Sequence, residues 1–247
     1  MSLTVKVLLT PLLIAQALRT RAVLPALPEA EGSRDGEVGR GPLLRLLITG
    51  DSSAAGVGVV HQRHALAGQL PQILAKACGV RVRWRLLARS GLSSTQTLDL
   101  VREQALADVD VVLAVTGVND VIEQVPSHRA VGAREALANW CRNGLGAQHV
   151  VFAPLPPIHQ MHGLPQPLRW VAGTDARRHN RAMSEWVATR NDVSRVEIGL
   201  ELNRGVLARD GFHPGEPVYR QCASAIAQHL TTQVWPRLYL NPTRSLS

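Results

Sequence analysis

Residues 43–53 read Leu-Leu-Arg-Leu-Leu-Ile-Thr-Gly-Asp-Ser-Ser, and this stretch decides the fold. Leu43–Thr49 is a nearly unbroken apolar run. That is the pattern of a strand covered on both faces, as in a parallel sheet, rather than one with a wetted side. Gly50 ends the run, and Ala54-Ala55-Gly56 follow. Small residues and glycines let the chain turn tightly and leave room for a ligand to approach.

Outward from this point, apolar runs alternate with segments of helical spacing. Helices are expected over 62–77, 94–104, 129–142, 174–188 and 216–230. Ser93 or Ser94 would cap the second, and Pro217 sits in the first turn of the last. Strands are expected over 80–87, 108–115, 149–153 and 193–198. Strand–helix alternation predicts a parallel sheet with helices on both faces. Right-handed crossovers then place the strand C-terminal ends along one edge, where ligands bind. The proline-rich stretch 154–173 follows one such end. It is expected to wall or cover a pocket, with Met161, Leu164, Leu168 and Trp170 as apolar contacts.

The chain divides into an N-terminal arm and linker (1–42), a main domain (43–236) and a tail (237–247). Residues 7–15 are apolar but shorter than the roughly 20 residues of a membrane span. They read as a helical arm that packs on the domain or touches an anionic membrane surface. The alternative is a cleaved signal peptide, with Ala15-Gln16-Ala17 as the cleavage site. The first reading implies a cytoplasmic, membrane-peripheral protein, the second a periplasmic or secreted one. Residues 25–42 (PALPEAEGSRDGEVGRGP) read as a linker.

A net charge of +8 raises the question of nucleic acid. The basic residues are almost all arginines scattered along the chain, with only Lys6 and Lys76 as lysines, and no aromatic-basic stacking pattern accompanies them. No nucleic-acid partner is expected. Cys78, Cys141 and Cys222 are single and odd in number, which argues against disulfides or a zinc site and fits a reducing compartment. His61/His64 and His159/His162 lack a third ligand at suitable spacing. Gly56-Val57-Gly58 lacks the third glycine of a dinucleotide loop. No metal or cofactor is expected.

Three separated stretches carry residues suited to nucleophilic catalysis. Ser52 lies just past a strand end, and a serine hydroxyl needs a base to become a nucleophile. His213 is the candidate base, and Asp210, three residues earlier, can hold the other imidazole nitrogen. Asn119, in Gly117-Val118-Asn119-Asp120, also follows an apolar run and can present an amide to a developing oxyanion. Backbone N–H groups of Ser52 and Gly91 would complete that set. Asp51 is expected to stabilise its turn, and Asp120 to support the site from behind.

These stretches resemble the SGNH/GDSL hydrolases. Gly50-Asp51-Ser52-Ser53 matches the first block of that family, Gly117-Val118-Asn119-Asp120 its G-x-N-D block, and Asp210-Gly211-Phe212-His213-Pro214 its final D-x-x-H-P block. Ser90-Gly91-Leu92-Ser93-Ser94 is similar to its glycine block, though Arg89 stands where the family often has Asn. Ser53 replaces the usual leucine. The resemblance covers roughly residues 43–232. It implies a flavodoxin-like three-layer α/β/α sandwich with about five parallel strands. It also implies metal-free ester hydrolysis, here of small or medium acyl esters, by Ser52, His213 and Asp210, with Ser52, Gly91 and Asn119 holding the oxyanion. Acyl transfer to an alcohol, or glycan or lipid binding without catalysis, are the alternatives.

Overall fold

The computed structural model describes residues 3–106 and 108–239. From the N-terminus come α1 (Leu3–Val23), β1 (Asp35–Gly39), β2 (Leu43–Gly50), α2 (Ser52–Ala55), α3 (Leu66–Cys78) and β3 (Arg81–Ala88). Then follow α4 (Ser94–Arg102), β4 (Val111–Val115), α5 (Val118–Ile122), α6 (Ser127–Leu145) and β5 (His149–Phe152). The chain closes with α7 (Leu168–Val187), β6 (Val193–Arg195), α8 (Glu216–His229), a π-turn at Leu230–Val234 and α9 (Trp235–Tyr239).

The strands form one sheet in the order β1-β3-β2-β4-β5-β6. The last five are parallel, and β1 adds an antiparallel edge to β3. β2 shows why its sequence is apolar throughout. Leu46 and Ile48 face the core under α3 and α8, while Leu47 faces the core under α4 and α6. Truncating Leu47, 1% exposed, to Ala would cost about 2–5 kcal/mol. The strand order runs one way from β2 to β3 and the other way from β2 to β4. The crevice beyond the ends of β2 and β4 is therefore the switch point where an α/β sheet places its ligand.

Residues 25–42 are not a linker, and here the structure corrects the sequence reading. Asp35–Gly39 pairs with β3, Glu37 lying opposite Arg83 and ion-paired to it at 2.9 Å. Opposite charges across a strand pair hold a segment that is otherwise poor in strand formers. Upstream, Glu31 N–H donates to Val60 O at 2.9 Å, and Gln62 N–H donates to Glu31 O at 2.8 Å. The main domain thus begins well before residue 43.

Smaller differences concern helix ends. The helix expected from 62 is a 3-10 turn, Gln62–His64, followed by α3. The α4 cap is Ser93, in a capping box with Gln96. α7 begins at Leu168, six residues before the expected start, directly after Pro167.

The N-terminal arm is helical and packs on the start of α7. Gln16 donates to Gln166 O at 2.7 Å and accepts from Leu168 N–H at 3.1 Å. Leu8, Leu12, Ile14, Leu18 and Val23 are exposed on it. Among the described residues no helix is long and apolar enough to cross a membrane. The expected tail lies outside the described residues from position 240 onward.

Candidate active site

Ser52 is the first residue of α2. Gly50 adopts φ +148°, and a Cβ there would lie 1.8 Å from Val115 O, so only glycine lets β2 close so tightly on β4. Asp51 N–H donates to that same carbonyl at 3.0 Å, and Asp51 Oδ1 caps α2 by accepting from Ser53 N–H at 3.0 Å. Asp51 is buried, and that burial pushes its carboxyl up to about 7. Just past α2, Tyr219 on α8 donates to Val57 O at 2.7 Å.

His213 arrives from the loop before α8. Its Nε2 lies 3.1 Å from Ser52 Oγ, and its Nδ1 lies 2.5 Å from Asp210 Oδ2. A carboxylate can only accept, so Nδ1 carries the proton and Nε2 faces Ser52 with its lone pair. Asp210 Oδ1 accepts from the N–H groups of Phe212 and His213, both at 3.0 Å. Burial works to raise the Asp210 pKa. The hydrogen bonds from His213 and the two backbone groups outweigh it and leave the carboxyl below its ordinary value.

Asn119 follows β4 on the same edge. Its Nδ2 donates one hydrogen to Leu92 O at 3.0 Å, and among the described residues no acceptor takes the second. Among the described residues no protein acceptor takes the N–H of Ser52 or Gly91. The structure therefore brings Ser52, Asp210 and His213 into one hydrogen-bonded chain. Gly91 lies on the turn after β3, and Asn119 lies on α5 just past β4.

The expected support Asp120 works through Arg134, and neither Arg134 nor a second support, Glu29, was singled out in the sequence. Asp120 is buried. It accepts from Ser94 N–H at 3.0 Å and from Arg134 Nη2 at 3.2 Å, while Arg134 Nε donates to Ser94 Oγ at 3.1 Å. Both ion-pair side chains are 3% exposed. Burial draws the Arg134 guanidinium below its usual range, and Asp120 offsets part of that. Gly117 must be glycine here, since a Cβ would meet Arg134 Nη2 at 1.8 Å. The signal for Arg134 was present. Ala130, Arg134, Leu137, Ala138, Cys141 and Leu145 form the buried stripe of α6, so the arginine falls on an apolar face.

The second support is Glu29. Its Oε1 accepts from Ser90 N–H at 2.6 Å, and its Oε2 pairs with Arg34. Arg34 Nη1 also donates to Ala88 O at 2.7 Å. Together they bracket the turn that carries Gly91. Arg89 N–H donates to Gly50 O at 3.2 Å and ties the same turn to the end of β2 just before Ser52. Glu29 sits in a Pro/Gly-rich stretch with no periodicity, so nothing local marked it.

A narrow pocket with mostly apolar walls opens beside Ser52 and His213. Val115, Val118, Pro154, Met161, Leu202 and Val218 are among its apolar walls. The proline-rich stretch supplies part of this wall, and Gly163 N–H fixes it to Gly211 O at 2.9 Å. Met161 lines the pocket and Leu164 packs on the neighbouring cluster. Leu168 and Trp170 do not line it. They belong to α7, and Trp170 is exposed. The paired histidines serve elsewhere: His64 pairs with Glu216 at 3.1 Å, and His61 Nδ1 accepts from Arg63 N–H.

The sequence model of the GDSL-like Lipase/Acylhydrolase family matches residues 48–221. A GDSL-like esterase of Mycobacterium tuberculosis is 26% identical over 94% of this chain and 81% of its own length. The fold matches that of a lipase from a goat rumen metagenome, with TM-score 0.60 and 15% identity over 77% of this chain and 98% of the other. It also matches the psychrotrophic esterase EstA of a Pseudoalteromonas species, with TM-score 0.55 and 19% identity over 76% and 99%. The chain belongs to the GDSL-like lipase/acylhydrolase family and is a hydrolase of carboxylic esters.

Proposed function

We propose that the protein is a serine esterase that hydrolyses acyl esters through an acyl-enzyme on Ser52. The observation that carries this reading is the chain Ser52 Oγ–His213 Nε2–Asp210 at 3.1 and 2.5 Å, set at the mouth of an apolar pocket. Ser52 Oγ attacks the ester carbonyl as its proton passes to His213 Nε2. Asp210 holds the imidazole in the tautomer required and stabilises the imidazolium that forms. The carbonyl oxygen becomes an oxyanion, bound by the N–H groups of Ser52 and Gly91 and by the second amide hydrogen of Asn119. Such donors contribute on the order of 3 kcal/mol each. The intermediate collapses, the C–O bond to the alcohol breaks, and Nε2 returns its proton to the departing oxygen. Water, deprotonated at Nε2, then releases the acid and restores Ser52.

The test is hydrolysis of p-nitrophenyl acetate through palmitate by wild type and Ser52→Ala. Loss of at least about 10³-fold in kcat in a folded variant is expected. Equal rates in both proteins would overturn the serine mechanism.

A further inference from the structure

The pocket is unusual in where it lies within the core. Its walls come from two separate apolar clusters. Leu66, Tyr219 and Ile226 belong to the core between the sheet and α3/α8, and Met161, Leu202 and Val218 belong to the cluster under the proline-rich loop. Cys222 packs against both clusters. The pocket is therefore a seam between two cores that meet without fusing.

The seam follows α8. Val218, Cys222 and Ile226 are spaced by four, so they form one stripe on that helix, and all three line the pocket. Eight residues of helix advance about 12 Å. The stripe starts five residues after His213 and leads away from it. Apart from Ser52, Ser53 and His213 at the mouth, the polar side chains of the lining are the Tyr219 hydroxyl and the Cys222 thiol. The hydroxyl is committed to Val57 O. Burial pushes the thiol up to about 12, so it lines the slot as a neutral, weakly polar group.

Resting on the esterase reading above, we propose that this seam is the acyl-chain site. It takes one unbranched saturated chain of medium length, threaded past Cys222 toward Ile226. An apolar slot that runs inward to the buried Ile226 suits the half of the ester that stays covalently attached to Ser52. The alcohol must leave and water must enter, which requires the open side. Polyol or charged acyl groups find no hydrogen-bond partner inside and are excluded.

The proposal makes chain length the variable to test. Each methylene buried raises kcat/KM about fourfold until the slot is full. Wild type is expected to climb from p-nitrophenyl acetate to a medium-chain optimum and fall by palmitate. Cys222→Trp blocks the seam, and its octanoate-to-acetate ratio should drop about tenfold or more. Ile226→Ala should shift the optimum to longer chains. An unchanged ratio in both variants overturns the proposal.

A second measurement needs neither turnover nor a well-folded Trp variant. In Ser52→Ala, methanethiosulfonate labelling of Cys222 is followed by mass spectrometry of its peptide, with sodium octanoate or sodium acetate present. Protection by octanoate alone supports the seam, and equal labelling rates overturn it. Retained hydrolysis by Ser52→Ala would sink the serine mechanism instead, and the labelling result would still decide the seam.

Discussion

The two segments flanking Ser52 are held in opposite ways. The segment with Asn119, helix α5, rests on Asp120 and Arg134, an ion pair 3% exposed on each side and closed by Ser94. The Gly91 loop rests on Glu29 and Arg34, whose side chains are 29% and 38% exposed. A buried pair tolerates no loss of one partner, because the other is left charged in a medium that cannot solvate it. A half-exposed pair can exchange its partner for water at small cost. One segment is thus fixed as part of the fold, and the other is fixed as an adjustment to it.

Arg134→Met should break this contrast if it is wrong. It strands Asp120 and should cost about 3–5 kcal/mol in urea unfolding. A loss below about 1 kcal/mol would mean that the buried pair is no firmer than the exposed one. Asn119→Ala separates the segment's chemistry from its support. It should lower kcat about 10²–10³-fold while moving the unfolding midpoint little. A large stability loss with normal kcat would assign Asn119 to the scaffold.

The pH axis sharpens the same contrast between buried groups. Asp51 binds its proton more tightly when folded (pKa about 7) than when unfolded (about 3.9), so its contribution falls as pH rises from about 4 to 7. His149, at the start of β5, is drawn down to about 4 by burial and by the nearby Arg237 and His229. It binds its proton less tightly when folded, so its contribution falls as pH drops from about 6.5 to 4. The two slopes oppose each other in wild type. Urea midpoints of Asp51→Asn should rise between pH 4 and 6.5, and those of His149→Gln should fall between pH 4 and 7. Identical profiles in all three proteins would defeat both assignments.

The smallest effect is expected at the exposed clasp. Glu29→Ala should cost under about 1 kcal/mol of stability. Misplacing the Gly91 N–H should lower kcat about tenfold with KM nearly unchanged. Glu29→Gln keeps an acceptor for Ser90 N–H and should recover part of that rate. A KM effect without a kcat effect would place Glu29 in substrate binding instead.

The same contrast explains what could be read from sequence. The parallel strands were legible because a strand buried on both faces must be apolar throughout, as in Leu46, Leu47 and Ile48. Ser52, Asn119, Asp210 and His213 could be named as candidates because the proposed chemistry restricts which residue types can stand at strand ends, and the structure joins Ser52, His213 and Asp210 by hydrogen bonds. β1 was not, because Asp35–Gly39 is a charged, glycine-containing edge whose pairing depends on arginines some 46 residues away. Glu29 was hidden for the same reason: its partners are fixed only by the fold. Arg134 could have been found, since it interrupts a buried helical stripe.

Ser52 and His213 are 161 positions apart and are joined by a hydrogen bond just before α8. A chain leaving the ribosome therefore holds Ser52 long before it holds His213. The loss of entropy on closing so large a separation makes this junction slow to form. Hydrolytic activity thus becomes a clock for the end of folding. In a refolding experiment, its recovery should lag the helical signal by the time α8 takes to dock through Tyr219 onto Val57.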